Sequence, residues 1–221
     1  LNWSGKIDEA IRLFSDRTDV QFGCHHWPIW GEERIISFLK KQRDLYKFIH
    51  DQTLRLANKG FSKEEIAEQI KLPKSLSQEF FNRDYYGTVH HNSKAVFVRY
   101  LGYFDGNPST LYERPPVERA IRYVEWMGGP AKILEKARES FDSGDYRWTA
   151  EVLNHVVMAD EKHEEAKCLL ADTLEQLGYQ SESATWRNFF LCGALELREG
   201  LPPTRDFVPS SGMAAGIPID Q

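Results

Sequence analysis

The chain has no apolar run approaching the roughly 18 residues that a membrane-spanning helix needs, which excludes a helical span. It has no dense Lys/Arg block, and its formal net charge of −5 excludes a general nucleic-acid binder. Cysteine is scarce. Cys24, Cys168 and Cys192 are an odd number without paired spacing, which excludes a disulfide framework or a zinc knuckle and predicts small buried hydrophobes. No CxxC, HxH, HExxH, GxSxG, glycine-rich phosphate loop or cysteine-histidine nucleophile pattern occurs in the 221 residues. The opening "LNWSGKIDEAIRLF" lacks the basic stretch of a signal peptide and reads as an amphipathic helix. An initiator methionine is also missing, which points to processing or to a piece of a longer protein.

What is present fits one large soluble domain, or one domain with extensions. Apolar residues make up 41% and charged residues 28%, both ordinary. Aromatics reach 13%, which predicts a substantial core or a broad contact surface.

The first thirty residues read helix, strand, loop: "GKIDEAIRLFSDR", then the β-prone "DVQFGC", then a loop through "HHWPIWG". Beyond Glu32 the pattern is helical. "EERIISFLKKQRDLYKFIHDQTLRLANKG" predicts a helix of about seven turns that stops at Gly60. Ser62 and Glu65 form a capping box with a Phe61/Ile66 staple, and the short helix they start must end near Leu72-Pro73. Gly87 marks a loop, His91 to about Phe104 reads as a helix, and "DGNP" as a turn. "RPPVERAIRYVEWMGG" begins on prolines and stops at Gly128-Gly129, and Pro130 opens the next helix.

A repeat follows. "SGDYRWTAEVL" and "LGYQSESATWR" align with Gly144 over Gly178 and Ala150 over Ala184, each 34 residues apart. That is the tetratricopeptide period, with a small residue where paired helices pack closely, and it predicts two helical hairpins. Two repeats fall short of the usual three, so further helices or a second subunit must supply the missing surface. From Leu201 the chain becomes Pro-, Gly- and Ser-rich and reads as a linker.

Several residues invite a chemical reading. His25 and His26 suit metal ligation from a loop after a strand, but neighbouring histidines diverge, so at most one ligates. On spacing alone packing beside Trp27 and Trp30 is the favoured reading of the pair. His90 and His91, after a glycine at a helix start, suit an anion or form an exposed loop pair. Tyr85 and Tyr86 offer a phenol to a pocket, or pack. His50, His155 and His163 read as structural, without partners, and Trp126, Trp148 and Trp186 as helix-packing core.

"CHHWPIWG" followed by "QRDLYKFIHDQTLRLAN" resembles the segment closing the metallo-β-lactamase-like domain of bacterial alkyl sulfatases. "YYGTVHHNSKAVFVRYLGYFDGNPSTL" resembles the start of their dimerisation domain, and the likeness continues through "PPVERAIRYVEWMGG" to "GALELREG". The resemblance implies a fragment. In that family an HxHxDH motif and two glutamates supply most ligands of a two-zinc site, upstream of residues like these. One more histidine comes from the "HWP" loop, which assigns the metal role to His25, with His26 as fallback. Zinc-bound hydroxide would hydrolyse the sulfate ester to alcohol and sulfate. Tyr85 would donate to a sulfate oxygen. His90 stands where some relatives carry an arginine, and offers an anion less than a guanidinium does.

The expected fold class is therefore mainly α. A multi-helix dimerisation domain with tetratricopeptide-like hairpins (residues 32–200) follows a short helix-strand remnant of a metallo-β-lactamase-like domain (residues 1–31). Residues 201–221 form a linker towards a sterol-carrier-like domain. The expected function is part of a zinc-dependent alkyl sulfatase acting on long-chain alkyl sulfates, homodimeric through the helices, with a periplasmic or secreted setting. The isolated chain, holding one zinc ligand, is expected to be inert. The competing readings are a free-standing helical-repeat interaction module, and a complete small metalloprotein using His25, His26, His90 and His91.

Overall fold

The computed structural model describes residues 1–24 and 26–201, with His26 described by its backbone alone. Among these residues are ten α-helices and one two-stranded sheet. Helix α1 (Asn2–Phe14) leads to strands β1 (Val20–Gly23) and β2 (His26–Trp30), then the long α2 (Glu32–Ala57). There follow α3 (Lys63–Gln69), α4 (Lys74–Ser77), α5 (Val89–Leu101), α6 (Pro116–Trp126), α7 (Pro130–Asp142), α8 (Tyr146–Ala159), α9 (Glu164–Gln180) and α10 (Ala184–Glu199).

The expected loop at "HWPIW" is a strand. β2 pairs antiparallel with β1, Val20 opposite Trp30 and Gln21 opposite Ile29, with an irregularity before Gly23 meets His26. Aromatic and β-branched side chains favour a pleated pairing, and a proline is tolerated in a two-stranded ribbon where one side of each strand needs no partner.

Local chemistry sets the helix limits. α2 stops as expected: Gly60 adopts φ +87°, and its N–H donates to the Ala57 carbonyl. The capping box is complete, Glu65 N–H donating to Ser62 Oγ and Ser62 N–H to Glu65 Oε2. Phe61 packs with Ile66 as the staple requires. α5 starts two residues earlier than expected, because Thr88 Oγ1 caps it by accepting the His91 N–H at 3.0 Å. It also ends earlier, at Leu101, before Gly102 with φ +82°.

The chain divides into two compact units, Leu1–Arg119 with Gly178–Asn188, and Ala120–Leu177 with the residues from Phe189. Within the first unit α1 lies along α2, held by Arg43 to Asp8 at 2.8 Å and by Trp3 stacked on Tyr46. That unit's core joins Leu56, Ile66, Ile70 and Phe97. The second unit's core joins Val124, Leu134, Leu153, Val156 and Leu170.

In the second unit α7 and α8 form the first expected hairpin, turning at Gly144 with φ +84°. The second repeat departs from it. Gly178 lies inside α9 rather than ending it, and Ala184 is the exposed first residue of α10. Close packing falls instead to Gly193, where an added Cβ would stand 3.3 Å from Leu174 Cδ1. Arg198 ties α10 to α9 through Asp172 and Glu175.

Three further expectations change. All three cysteines are exposed; Cys168 points outward because the helical phase gives the interior to Leu169 and Leu170. Trp126 is 90% exposed and Trp148 52%, so they are surface aromatics. His163 precedes α9, where its Nδ1 accepts the Ala166 N–H, and His50 bonds both Asp51 and Tyr100. Residues 202–221, the expected linker, lie outside the described residues. No described helix is long and apolar enough to cross a membrane.

Candidate active-site cavity

Within the first unit a cavity of about 620 Å³ brings together segments sixty residues apart in sequence. Cys24, at the end of β1, lines one part, and the Asp84–Gly87 loop with Asn92 lines another. Between them α2 contributes an apolar row that includes Phe38, Leu45 and Ile49. His25 lies outside the described residues, as does the side chain of His26.

The loop reaches the cavity because polar groups anchor the segment before it. Gln42 on α2 donates to the Phe81 carbonyl and to Asn82 Oδ1, and the buried Asn82 donates to the Leu76 carbonyl. Tyr85 packs its ring on Phe80, with centroids 4.9 Å apart, and the Arg83 guanidinium lies 5.6 Å from the same ring. The Tyr85 hydroxyl is buried and bonds to nothing among the described residues. A buried hydroxyl without a partner costs free energy.

His90 is placed differently. It stands in the first turn of α5, Nε2 3.4 Å from Glu68 Oε1, its ring edge-on to Trp186. Its Nδ1 is buried and has no partner among the described residues. Burial holds His90 below the usual histidine range, the charge of Lys94 acts the same way, and Glu68 opposes both. His91 accepts from the Trp186 indole N–H at 3.0 Å and is also lowered by burial and Lys94. Two early amides of α5 are already used: Asp84 Oδ1 takes the Val89 N–H, and Thr88 takes the His91 N–H. The helix start is therefore not an open cradle for an anion.

The sequence reading passed over Asp84 and Asn92. Burial raises the Asp84 carboxyl above the usual range, and the nearby Glu182 adds to this. Asn92 lies against Gly87, where an added Cβ would stand in van der Waals contact with its side-chain nitrogen at 3.4 Å.

Among the described residues no three His, Cys, Asp or Glu side chains gather as a metal site. His25 and the side chain of His26 lie outside those residues, and the described side chains would not hold zinc by themselves.

The comparisons bear on this arrangement. A profile of the alkyl sulfatase dimerisation family matches residues 62–200. This chain belongs to that family. It is 54% identical over 208 residues to a linear primary-alkylsulfatase of a Pseudomonas species, covering 93% of this chain and 31% of that protein. It is 52% identical over 203 residues to the alkyl/aryl-sulfatase BDS1 of Saccharomyces cerevisiae, covering 92% and 31%. Among solved structures, the stereoselective inverting sec-alkylsulfatase Pisa1 from a Pseudomonas species superposes with a TM-score of 0.89 at 46% identity, covering 91% of this chain and 32% of that one. The chain spans about a third of the length of these relatives. Family membership replaces the reading as a free-standing interaction module.

Proposed function

We propose that this chain is the dimerisation region of a zinc-dependent alkyl sulfatase, joined to the closing edge of its catalytic domain. One observation carries the reading: the end of β1, one residue before His25, and the Tyr85 loop line a single cavity. Tyr85 donates its hydroxyl to a sulfate oxygen of a long-chain alkyl sulfate. The apolar row of α2 in the same cavity suits the hydrocarbon part of such a substrate. His25 serves as one zinc ligand, the remaining ligands coming from elsewhere in the full-length protein. Bound zinc would supply a hydrolytic nucleophile; the part of this chain is to orient the ester and to join two copies into a homodimer. Exposed apolar residues such as Trp126 and Phe189 offer contact surface for that association.

The test uses the full-length protein. It should hydrolyse dodecyl sulfate and carry about two zinc ions per chain by elemental analysis, the two-metal arrangement of such hydrolases. Tyr85→Phe should raise KM for dodecyl sulfate. A full-length protein free of zinc and inactive on alkyl sulfates would overturn the reading.

A further inference from the structure

We propose that Ser183 and Thr185, at the start of α10, are positioning residues that aim Tyr85 at the substrate. The inference rests on the sulfate-binding role of Tyr85 given above.

Two successive carbonyls of the cavity loop are held from nearly a hundred residues away in sequence. The Ala184 N–H donates to the Tyr85 carbonyl at 2.8 Å. The Ser183 hydroxyl donates to the Tyr86 carbonyl at 2.8 Å, and the Thr185 hydroxyl donates to the same oxygen at 3.0 Å. The two hydroxyls lie 3.0 Å apart. Ser183 is 2% exposed, so its bond is shielded from water.

The Tyr85 N–H donates to the Arg83 carbonyl at 2.9 Å, so this bond and the Ala184 bond hold the peptide planes on both sides of the Tyr85 Cα, while Ser183 and Thr185 hold the next plane and keep the Ala184 bond in register. The other end of the loop is held by Asp84 on the Val89 N–H and by the Thr88 cap. The loop is thus clamped at both ends while the buried Tyr85 hydroxyl bonds to nothing among the described residues. Hydrogen bonds weaken steeply with distance and misalignment, so a donor aimed at a bound anion depends on that clamp. The displaced small residue of the second repeat has its explanation here. Ala184 opens the helix and gives its N–H to the cavity loop, while Gly193 and Ala194 take over close packing.

Ser183 also accepts the Trp186 N–H at 3.4 Å as the cap of α10, so Ser183→Ala alone confounds two roles. Thr185→Val keeps the shape and removes one donor, and Ser183→Thr keeps both cap and donor. In the full-length protein, with dodecyl sulfate, the Ser183→Ala/Thr185→Val double variant should raise KM roughly tenfold, the scale of one or two lost hydrogen bonds. Its kcat per folded enzyme should stay within about twofold, because binding and not the chemical step is altered. Ser183→Thr should keep the parent KM. A merely structural role would reduce the amount of folded enzyme, hence apparent kcat, and leave KM alone. In the 221-residue chain the Tyr86 carbonyl carbon resonance should shift in the double variant and not in Ser183→Thr.

An active parent whose double variant keeps KM, or a Ser183→Thr variant as impaired as Ser183→Ala, overturns the positioning role and leaves Tyr85 standing. A parent that does not hydrolyse dodecyl sulfate overturns both.

Discussion

The indole N–H of Trp186 donates to Nδ1 of His91 across 95 residues of sequence, at 3.0 Å. An acceptor at Nδ1 puts the proton of neutral His91 on Nε2, and protonating Nδ1 would replace this bond with a repulsion. His90 lies against the same indole.

Acid should therefore loosen this contact. Both histidines sit below their ordinary value in the folded state, chiefly through burial, with Lys94 contributing. As pH falls, the unfolded chain takes up these protons first, so stability is full above about pH 6.5 and falls below it. Urea midpoints of the 221-residue chain should drop as pH is lowered through 6.5. His91→Gln should make that slope shallower, and an unchanged slope would contradict the account.

Tyr85→Phe should leave the fold intact or improve it. The hydroxyl is buried without a partner among the described residues, so removing it relieves a desolvation cost of about 1–3 kcal/mol. Equilibrium urea unfolding checks the sign. A loss of more than about 1 kcal/mol would mean that the hydroxyl makes a bond of ordinary strength within the fold.

At Asp84 the sign is the reverse of the usual carboxylate case. Burial raises its folded-state value, so the ionised form weakens the fold above that value, and the penalty vanishes below the unfolded value of about 3.9. Asp84→Asn keeps an oxygen for the Val89 N–H and removes the charge. It should raise the melting temperature at pH 7, and the gain should shrink as pH approaches 4. Scanning calorimetry at the two pH values decides it.

Truncation in the second unit should outweigh loss of a cap in the first. Leu153 is fully buried among α7, α8 and α9 side chains, so Leu153→Ala should cost about 2–5 kcal/mol. Ser62→Ala, which breaks the capping box of α3, should cost about 1 kcal/mol. Hydrogen exchange should localise the second effect to residues around Lys63–Gln69.

Helix existence was legible wherever local chemistry is self-sufficient: the Gly60 stop, the Ser62–Glu65 box, and Pro130 after Gly128-Gly129. The errors came where a distant partner overrides local preference. "HWPIW" became a strand because β1 was there to pair with it. Trp126 and Trp148 went to the surface because helical phase, not residue type, selects the inward face. The 34-residue period was real in the letters, yet Gly178 stayed helical and Ala184 served the cavity loop.

By itself, the sequence determined the mainly helical class, the family and Tyr85 as a candidate contact, because helix signals act over a few residues and unusual words persist in relatives. Only the tertiary structure decided that the end of β1 and the Tyr85 loop share one cavity, that His90 turns instead to Glu68 and Trp186, and that Ser183 and Thr185 hold the loop. Hydrogen bonds spanning nearly a hundred residues leave no local trace, since a serine or threonine before a helix looks the same whether its hydroxyl caps that helix or grips another segment.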